Sequence, residues 1–235
     1  MAVSAVLFDL DGTLLPMDLD DYLGVYFSNL AKKVAPLGYD KREFISALWS
    51  ATEYMVKNDG SKTNEGVFWR KFAEIYGEKV YDHKSVFDSF YENEYNLAKA
   101  VCGYDHQASK TAEYLKYRGM QLVCATNPLF PYTAMRARLS WAGVDENLFA
   151  LITSYENSHY SKPFAGYYYE ILSIINKKPE ECVMVGNDVA EDLPAAKTGM
   201  HVFLLTNCLI NKSGEDISAY PHGGFSELAE YIEKL

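Results

Sequence analysis

Five short apolar runs, most of them separated by stretches long enough for a helix, constrain this chain more than any other feature. They lie at 5–10, 121–125, 148–153, 182–185 and 201–205. Their length and β-branched content read as buried strands. Helix-length segments lie at about 105–118, 131–142, 164–176 and 190–199, and each ends at a glycine or a turn-rich stretch: Gly119, Gly143, Asn176-Lys177-Lys178-Pro179 and Gly199. Strands alternating with helices predict βαβ units, hence an α/β domain with a parallel sheet. Right-handed crossovers then place helices on both faces.

The stretch from about 17 to 103 breaks this rhythm. Its apolar residues fall at helical spacing, as in Phe44, Ile45, Leu48, Trp49, Thr52 and Met55, and again in Val67, Phe68, Lys71, Phe72 and Ile75. Turn signals punctuate it at Pro36-Leu37-Gly38, Asn58-Asp59-Gly60 and Tyr76-Gly77. The pattern predicts about four helices inserted after the first strand. The expected division is a core of residues 1–15 and 104–235 and an all-helical domain of 16–103. Phe225, Leu228, Ile232 and Leu235 predict a closing amphipathic helix, and 207–224 reads as a loop or minor extension.

The net charge of -10 disfavours nucleic acid as a partner, since an acidic surface repels phosphate backbones. A small anionic substrate stays open, because one site can be electropositive within a negative molecule. The four cysteines form no C-x-x-C pair, which predicts reduced thiols and a cytoplasmic location. The start of the chain has no basic region before its apolar run, so no secretory signal is expected. No apolar run approaches the ~20 residues of a membrane span.

Four clusters carry candidate chemistry. In Phe8-Asp9-Leu10-Asp11-Gly12-Thr13, two carboxylates leave a buried strand one residue apart. Their mutual repulsion would be relieved by a divalent cation, and hard oxygen donors suit magnesium. Alone, the cluster equally fits an acidic turn or helix cap. Ala125-Thr126-Asn127-Pro128 ends another strand, where a hydroxyl and backbone N–H groups can hold a phosphate oxygen, though a plain turn reads the same way. In Ser161-Lys162-Pro163, Pro163 opens a helix-like segment and Lys162 can point back at the strand ends. A solvated lysine is the plain alternative. In Gly186-Asn187-Asp188-Val189-Ala190-Glu191-Asp192, two acids four apart follow a third strand, a pattern shared with acidic helix starts. Together, all four fall at carboxyl ends of strands or the adjacent helix start, where open parallel sheets bind ligands.

The order Asp9-Leu10-Asp11-Gly12-Thr13, Thr126-Asn127, Lys162-Pro163 and Gly186 to Asp192 resembles the four motifs of the haloacid dehalogenase (HAD) superfamily, with a helical insertion where its first-type cap sits. The resemblance covers about 1–15 and 104–235. It implies a Rossmann-like parallel sheet core with helices on both faces plus an inserted all-helical cap. It also implies a Mg2+-dependent phosphatase acting on a small phosphorylated metabolite, as a monomer or homodimer. Asp9 would be the nucleophile, and Asp11, its carboxyl free of the metal, the acid and base. Asp9, the Asp11 main-chain carbonyl and Asp188 would hold the metal. Thr126, Asn127 and Lys162 would bind the phosphoryl group, with Asp192 acting behind them. Asn187 stands where some relatives carry an acid. Placing Asp188 at the ligand position fits best, and placing Asn187 there would weaken metal binding.

The same resemblance leaves alternatives. A sugar-phosphate mutase shares every core residue, and a degenerate binding or regulatory module shares the fold. A dehalogenase usually lacks the second Asp, and a phosphonatase needs a cap lysine that cannot be singled out. A nucleotide-dependent dehydrogenase needs more glycines in the first loop. The aromatics of the insertion read chiefly as a helix-bundle core, with a minority lining a pocket. Tyr22, Tyr26, Trp49 and Trp69 are the candidates, and His159 reads as a loop residue.

Overall fold

The computed structural model describes residues 2–235. Six parallel strands form one sheet in the order β3-β2-β1-β4-β5-β6. They are β1 (Ala5–Phe8), β2 (Gln121–Cys124), β3 (Phe149–Ile152), β4 (Cys182–Gly186), β5 (His201–Leu205) and β6 (His222–Gly223). Central β1 pairs in register with β2 and β4, Phe8 standing opposite Cys124 on one side and Val185 on the other. The chain builds outward from β1 to β3, then returns to add β4 on the opposite side. The crevice at the carboxyl ends of β1 and β4 is therefore a topological switch point.

Period two divides the strand side chains between two faces. Val6, Phe8, Leu122, Cys124, Val183 and Val185 pack on one face with α5 (His106–Tyr117), α6 (Tyr132–Trp141) and α8 (Phe225–Glu233). Ala5, Leu7, Val123, Cys182 and Met184 face α7 (Ala165–Ile175), which contributes Tyr167, Tyr168, Ile171, Leu172 and Ile175. Every β1 side chain is buried. Each large one contributes about 1.5–3 kcal/mol on burial, so the strand that carries Asp9 is anchored from both faces.

Four helices follow β1: α1 (Leu19–Val34), α2 (Lys41–Val56), α3 (Asn64–Tyr76) and α4 (Lys84–Glu92), with 3-10 stretches between and after them. In α1, Tyr22, Tyr26, Leu30 and Val34 recur every four residues and form its buried stripe. Its N-terminus is capped by the Asp18 carboxylate, which accepts from the Asp20 and Asp21 N–H groups. The insertion leaves and re-enters at one place. Met17 bridges Cys102, and the Gly103 N–H donates to the Pro16 carbonyl at 2.6 Å.

Several expectations are corrected. The first strand stops at Phe8, so Asp9 and Asp11 project from a turn rather than from alternating strand positions. The helix expected at 190–199 is a turn followed by a 3-10 helix, Leu193–Thr198, with Pro194 near its start; proline lacks the N–H that a continuing α-helix would use. Pro163 precedes α7 instead of opening it. The 207–224 stretch adds the edge strand β6 and docks on the β4 loop, where the Ile210 N–H donates to the Asn187 carbonyl. Among the described residues no helix is long and apolar enough to cross a membrane.

Candidate active site

The turns after β1 and β4 bring Asp9, Asp11, Asp188 and Asp192 to one cavity of about 320 Å³, which Thr126 and Asn127 from the β2 end also line. Lys162 lies behind it, wholly buried, donating to Asp9 Oδ1 at 2.8 Å and Asp192 Oδ1 at 2.7 Å. Burial opposes its charge, but Asp192 and Asp9 outweigh that and hold the ammonium well above the ordinary lysine value. Burial raises the Asp9 carboxyl to about 7, with Lys162 opposing and Asp192 and Asp11 adding to the rise. Asp9 is thus a desolvated carboxylate steadied by one fixed cation.

The β4 loop is built around Asp192. Its Oδ2 accepts the Asp188 N–H at 2.9 Å. Gly186 makes room for this: a Cβ there would stand 2.0 Å from Asp192 Oδ2. Asp188 Oδ1 accepts from the Ala190 and Glu191 N–H groups of the turn that follows. Those bonds use one carboxylate oxygen and leave the other for a ligand. Asn187 is occupied at both ends. Its Oδ1 accepts the Thr13 hydroxyl at 2.9 Å, and its Nδ2 donates to the Cys208 carbonyl at 2.7 Å.

The Asp11 carboxyl, expected only to be free of the metal, is ion-paired. Its Oδ2 meets the Arg138 guanidinium from α6, which is fully buried. Oδ1 of Asp11 is buried with no hydrogen-bond partner. Arg138 stacks 4.7 Å from the Phe130 ring centroid and 5.9 Å from that of Tyr22. Sequence reasoning missed it, although a charge on the apolar stripe Ala134, Met135, Leu139 and Ala142 was a readable signal. Glu191 was also missed. It lines the cavity, accepts from Asn127 Nδ2 at 3.1 Å, and is raised by burial to about 7, with Lys162 opposing.

The insertion supplies the far wall. Of the sixteen aromatics in residues 16–103, seven line the cavity: Tyr26, Phe27, Trp49, Phe68, Trp69, Phe87 and Tyr91. The expected minority lining the cavity includes three of the named candidates, Tyr26, Trp49 and Trp69. Tyr22 does not line it, being buried against Tyr95 with the two hydroxyls 2.6 Å apart. His159 is paired with Glu170 outside the cavity.

Residues 3–199 match the model of haloacid dehalogenase-like hydrolases. The chain belongs to that family. A curated relative, the ribulose-1,5-bisphosphate 5-phosphatase of Halopiger xanaduensis, is 26% identical over 203 residues, covering 82% of this chain and 80% of its own. Among solved structures, a HAD phosphatase from Thermococcus onnurineus superposes with a TM-score of 0.59 at 20% identity, over 98% of each chain. A 2-haloacid dehalogenase from Pseudomonas syringae pv. tomato superposes at 0.60 with 18% identity, over 99% of each. These two likenesses show that the fold is shared over nearly the whole chain.

Five acids of the cavity wall bear on whether a cation belongs there: Asp9, Asp11, Asp188, Glu191 and Asp192, with no Lys, Arg or His beside them in the lining among the described residues. At an effective dielectric of ~20, one like-charge pair at ~4 Å costs about 4 kcal/mol. A phosphate dianion entering alone would be repelled. Among the described residues no three His, Cys, Asp or Glu side chains form a ready cage. Carboxylate oxygens, a main-chain carbonyl and water would have to share the coordination, a mixture that fits magnesium.

Proposed function

We propose that this hydrolase is a magnesium-dependent phosphatase that cleaves a small phosphomonoester through a phosphorylated Asp9. In this reading residues 1–15 and 104–235 are the catalytic core and 16–103 the cap, a division supported by the single crossing point at Pro16–Gly103. The observation that carries the proposal is the meeting of Asp9, Asp11, Asp188 and Asp192 at one cavity, with Lys162 joining Asp9 to Asp192.

Asp9, the Asp11 carbonyl and Asp188 would hold Mg2+. When bound, the ion neutralises the acidic mouth and the charge on the phosphoryl oxygens. Asp9 attacks phosphorus in line as the bond to the leaving oxygen breaks. Asp11 passes a proton to that oxygen through Oδ1, the atom Arg138 leaves unpaired. The same carboxyl then takes a proton from water, which attacks phosphorus and returns Asp9 as a carboxylate. Thr126 and Asn127 face the phosphoryl oxygens from the β2 end. Lys162 and Asp192 keep the nucleophile in place.

Hydrolysis of a generic aryl phosphate with magnesium, by the wild type and Asp9→Asn, tests this. The variant should lose at least ~100-fold in kcat, since nucleophile and metal ligand are removed together. Near-normal turnover by the variant would end the mechanism.

A further inference from the structure

We propose that the leaving group is an uncharged, apolar alcohol, so that the substrate is the monophosphate of an aliphatic or aromatic alcohol and carries no second anionic group. This rests on the phosphatase reading and specifies its substrate class.

The cavity has two unlike ends. At the sheet stand the carboxylates. Opposite them, Tyr26, Phe27, Trp49, Phe68, Trp69 and Tyr91 form the wall, with Leu23, Leu30 and Leu48 between. The polar groups on that wall are few: the Tyr26 and Tyr91 hydroxyls bond each other at 2.8 Å, Thr52 adds one hydroxyl, and Trp69 Nε1 is a lone donor without a partner. No cation lines the cavity among the described residues. Two cations of the insertion are engaged elsewhere. Lys84 stands over the Trp69 ring, 5.1 Å from its centroid, but outside the lining, and is paired with Glu65 at 2.6 Å. Lys33 is paired with Glu94.

A second phosphate or a carboxylate on the substrate would have to sit against aromatic rings and face five acids. Desolvating a charge without a partner is prohibitive. A sugar body fares less well too, because several hydroxyls would lose water against a wall that offers few partners beyond Thr52 and Trp69 Nε1. An alkyl chain or a ring loses nothing and gains the apolar wall. The volume of about 320 Å³ equals roughly ten water volumes, room for a phosphoryl group and a ring or short chain. The reaction balances simply. The ester P–O bond breaks, the alcohol oxygen keeps the proton passed by Asp11, water supplies the new oxygen, and neutral alcohol and inorganic phosphate leave.

The test compares primary alkyl esters of matched intrinsic reactivity with saturating magnesium: hexyl phosphate and 2-phenylethyl phosphate against ribose 5-phosphate and fructose 1,6-bisphosphate. We expect kcat/KM for the two apolar esters to exceed the others by at least ~30-fold, the scale of burying several methylenes. Trp49 is half-exposed, so Trp49→Arg should fold; it should cut the apolar esters at least ~5-fold and improve the bisphosphate. Calorimetry on the chain without added metal should give saturable heat with 2-phenylethanol, weakened in Trp49→Arg. Equal or greater turnover of the sugar phosphates, with a generic aryl phosphate still hydrolysed, overturns the substrate class and leaves the phosphatase standing. Failure to hydrolyse even the aryl phosphate overturns both.

Discussion

Arg138 and Asp11, 127 residues apart in sequence, form an ion pair whose guanidinium is fully enclosed while its carboxylate faces the cavity. Burial opposes the charge on Arg138, and Asp11 raises it back, so the guanidinium stays charged inside the core. The guanidinium fixes one carboxylate oxygen and leaves Oδ1 for the leaving group. Arg138→Met should lower kcat at least ~10-fold with a smaller change in KM, because it frees the rotamer of a group that works on the transition state. Removing one partner of a buried pair should also cost about 3 kcal/mol in a denaturant titration. Arg138→Lys should recover part of the stability and less of kcat, since an ammonium lacks the planar fork. An unchanged kcat in the methionine variant would separate Arg138 from the chemistry.

Lys162 is the single cation between Asp9 and Asp192. Lys162→Met leaves two desolvated carboxylates facing each other, so unfolding free energy should fall by about 3–5 kcal/mol. Magnesium should restore part of the lost Tm, because a divalent ion can replace the missing charge. A variant as stable as wild type without metal would show that the two acids are better solvated than their burial implies.

What could be read in the sequence follows from signal strength. The runs of β1, β2 and β4 are short but almost wholly apolar and end in unusual polar groups, so the positions of Asp9, Thr126 and Asp188 just past strand ends are legible. Arg138 was not found: its charge on the apolar stripe of α6 marks a buried cation, but its partner depends on α6 packing beside the β1 turn, a contact no local pattern encodes. The clamp of Asn187 between Thr13 and Cys208 was invisible for the same reason. The two residues of β6 are too few for any periodicity. Which aromatics form the wall was only partly legible, because bundle core and cavity lining share one helical spacing: Tyr26, Trp49 and Trp69 line the cavity and Tyr22 does not.

Gly186 is required by contact rather than by dihedral angle. A Cβ would stand 2.1 Å from Asp192 Cγ as well as 2.0 Å from Oδ2. Gly186→Ala must push Asp192 away from both Lys162 and the Asp188 N–H. Activity should fall at least ~100-fold, and stability by about 1–3 kcal/mol, as for other overpacked sites. Wild-type kinetics in this variant would mean that the Asp192 contacts are dispensable.

Mg2+ should raise Tm without substrate, since five acids line the cavity. At ~100 times its Kd, a ligand that binds only the folded state adds about 2.7 kcal/mol. Asp188→Asn should remove most of that gain, whereas Asn187→Asp should keep it, because Asn187 is turned toward Thr13 and Cys208. A Tm gain that survives Asp188→Asn would return the ligand role to Asn187 and reverse the alignment preferred above.

Asn64, wholly buried at the start of α3, ties the helical insertion to the loop that carries Lys162. Its Nδ2 lies 3.3 Å from the Pro128 carbonyl, 3.2 Å from that of Tyr160 and 3.3 Å from Ser161 Oγ, while its Oδ1 accepts from Asn58 at 2.8 Å. Its backbone N–H donates to the Ser158 carbonyl at 2.8 Å. Asn64→Ala deletes the side-chain bonds and strands their buried partners, which should cost about 2–3 kcal/mol by denaturant titration. It should also loosen the insertion over the cavity. KM should therefore rise several-fold while kcat at saturation changes less, because the acids below belong to the sheet turns and keep their places. Asn64→Asp should do worse than alanine, placing a carboxylate among three oxygen acceptors. If KM is unmoved in both variants while stability falls, the tie serves folding alone and the insertion closes by its aromatic contacts.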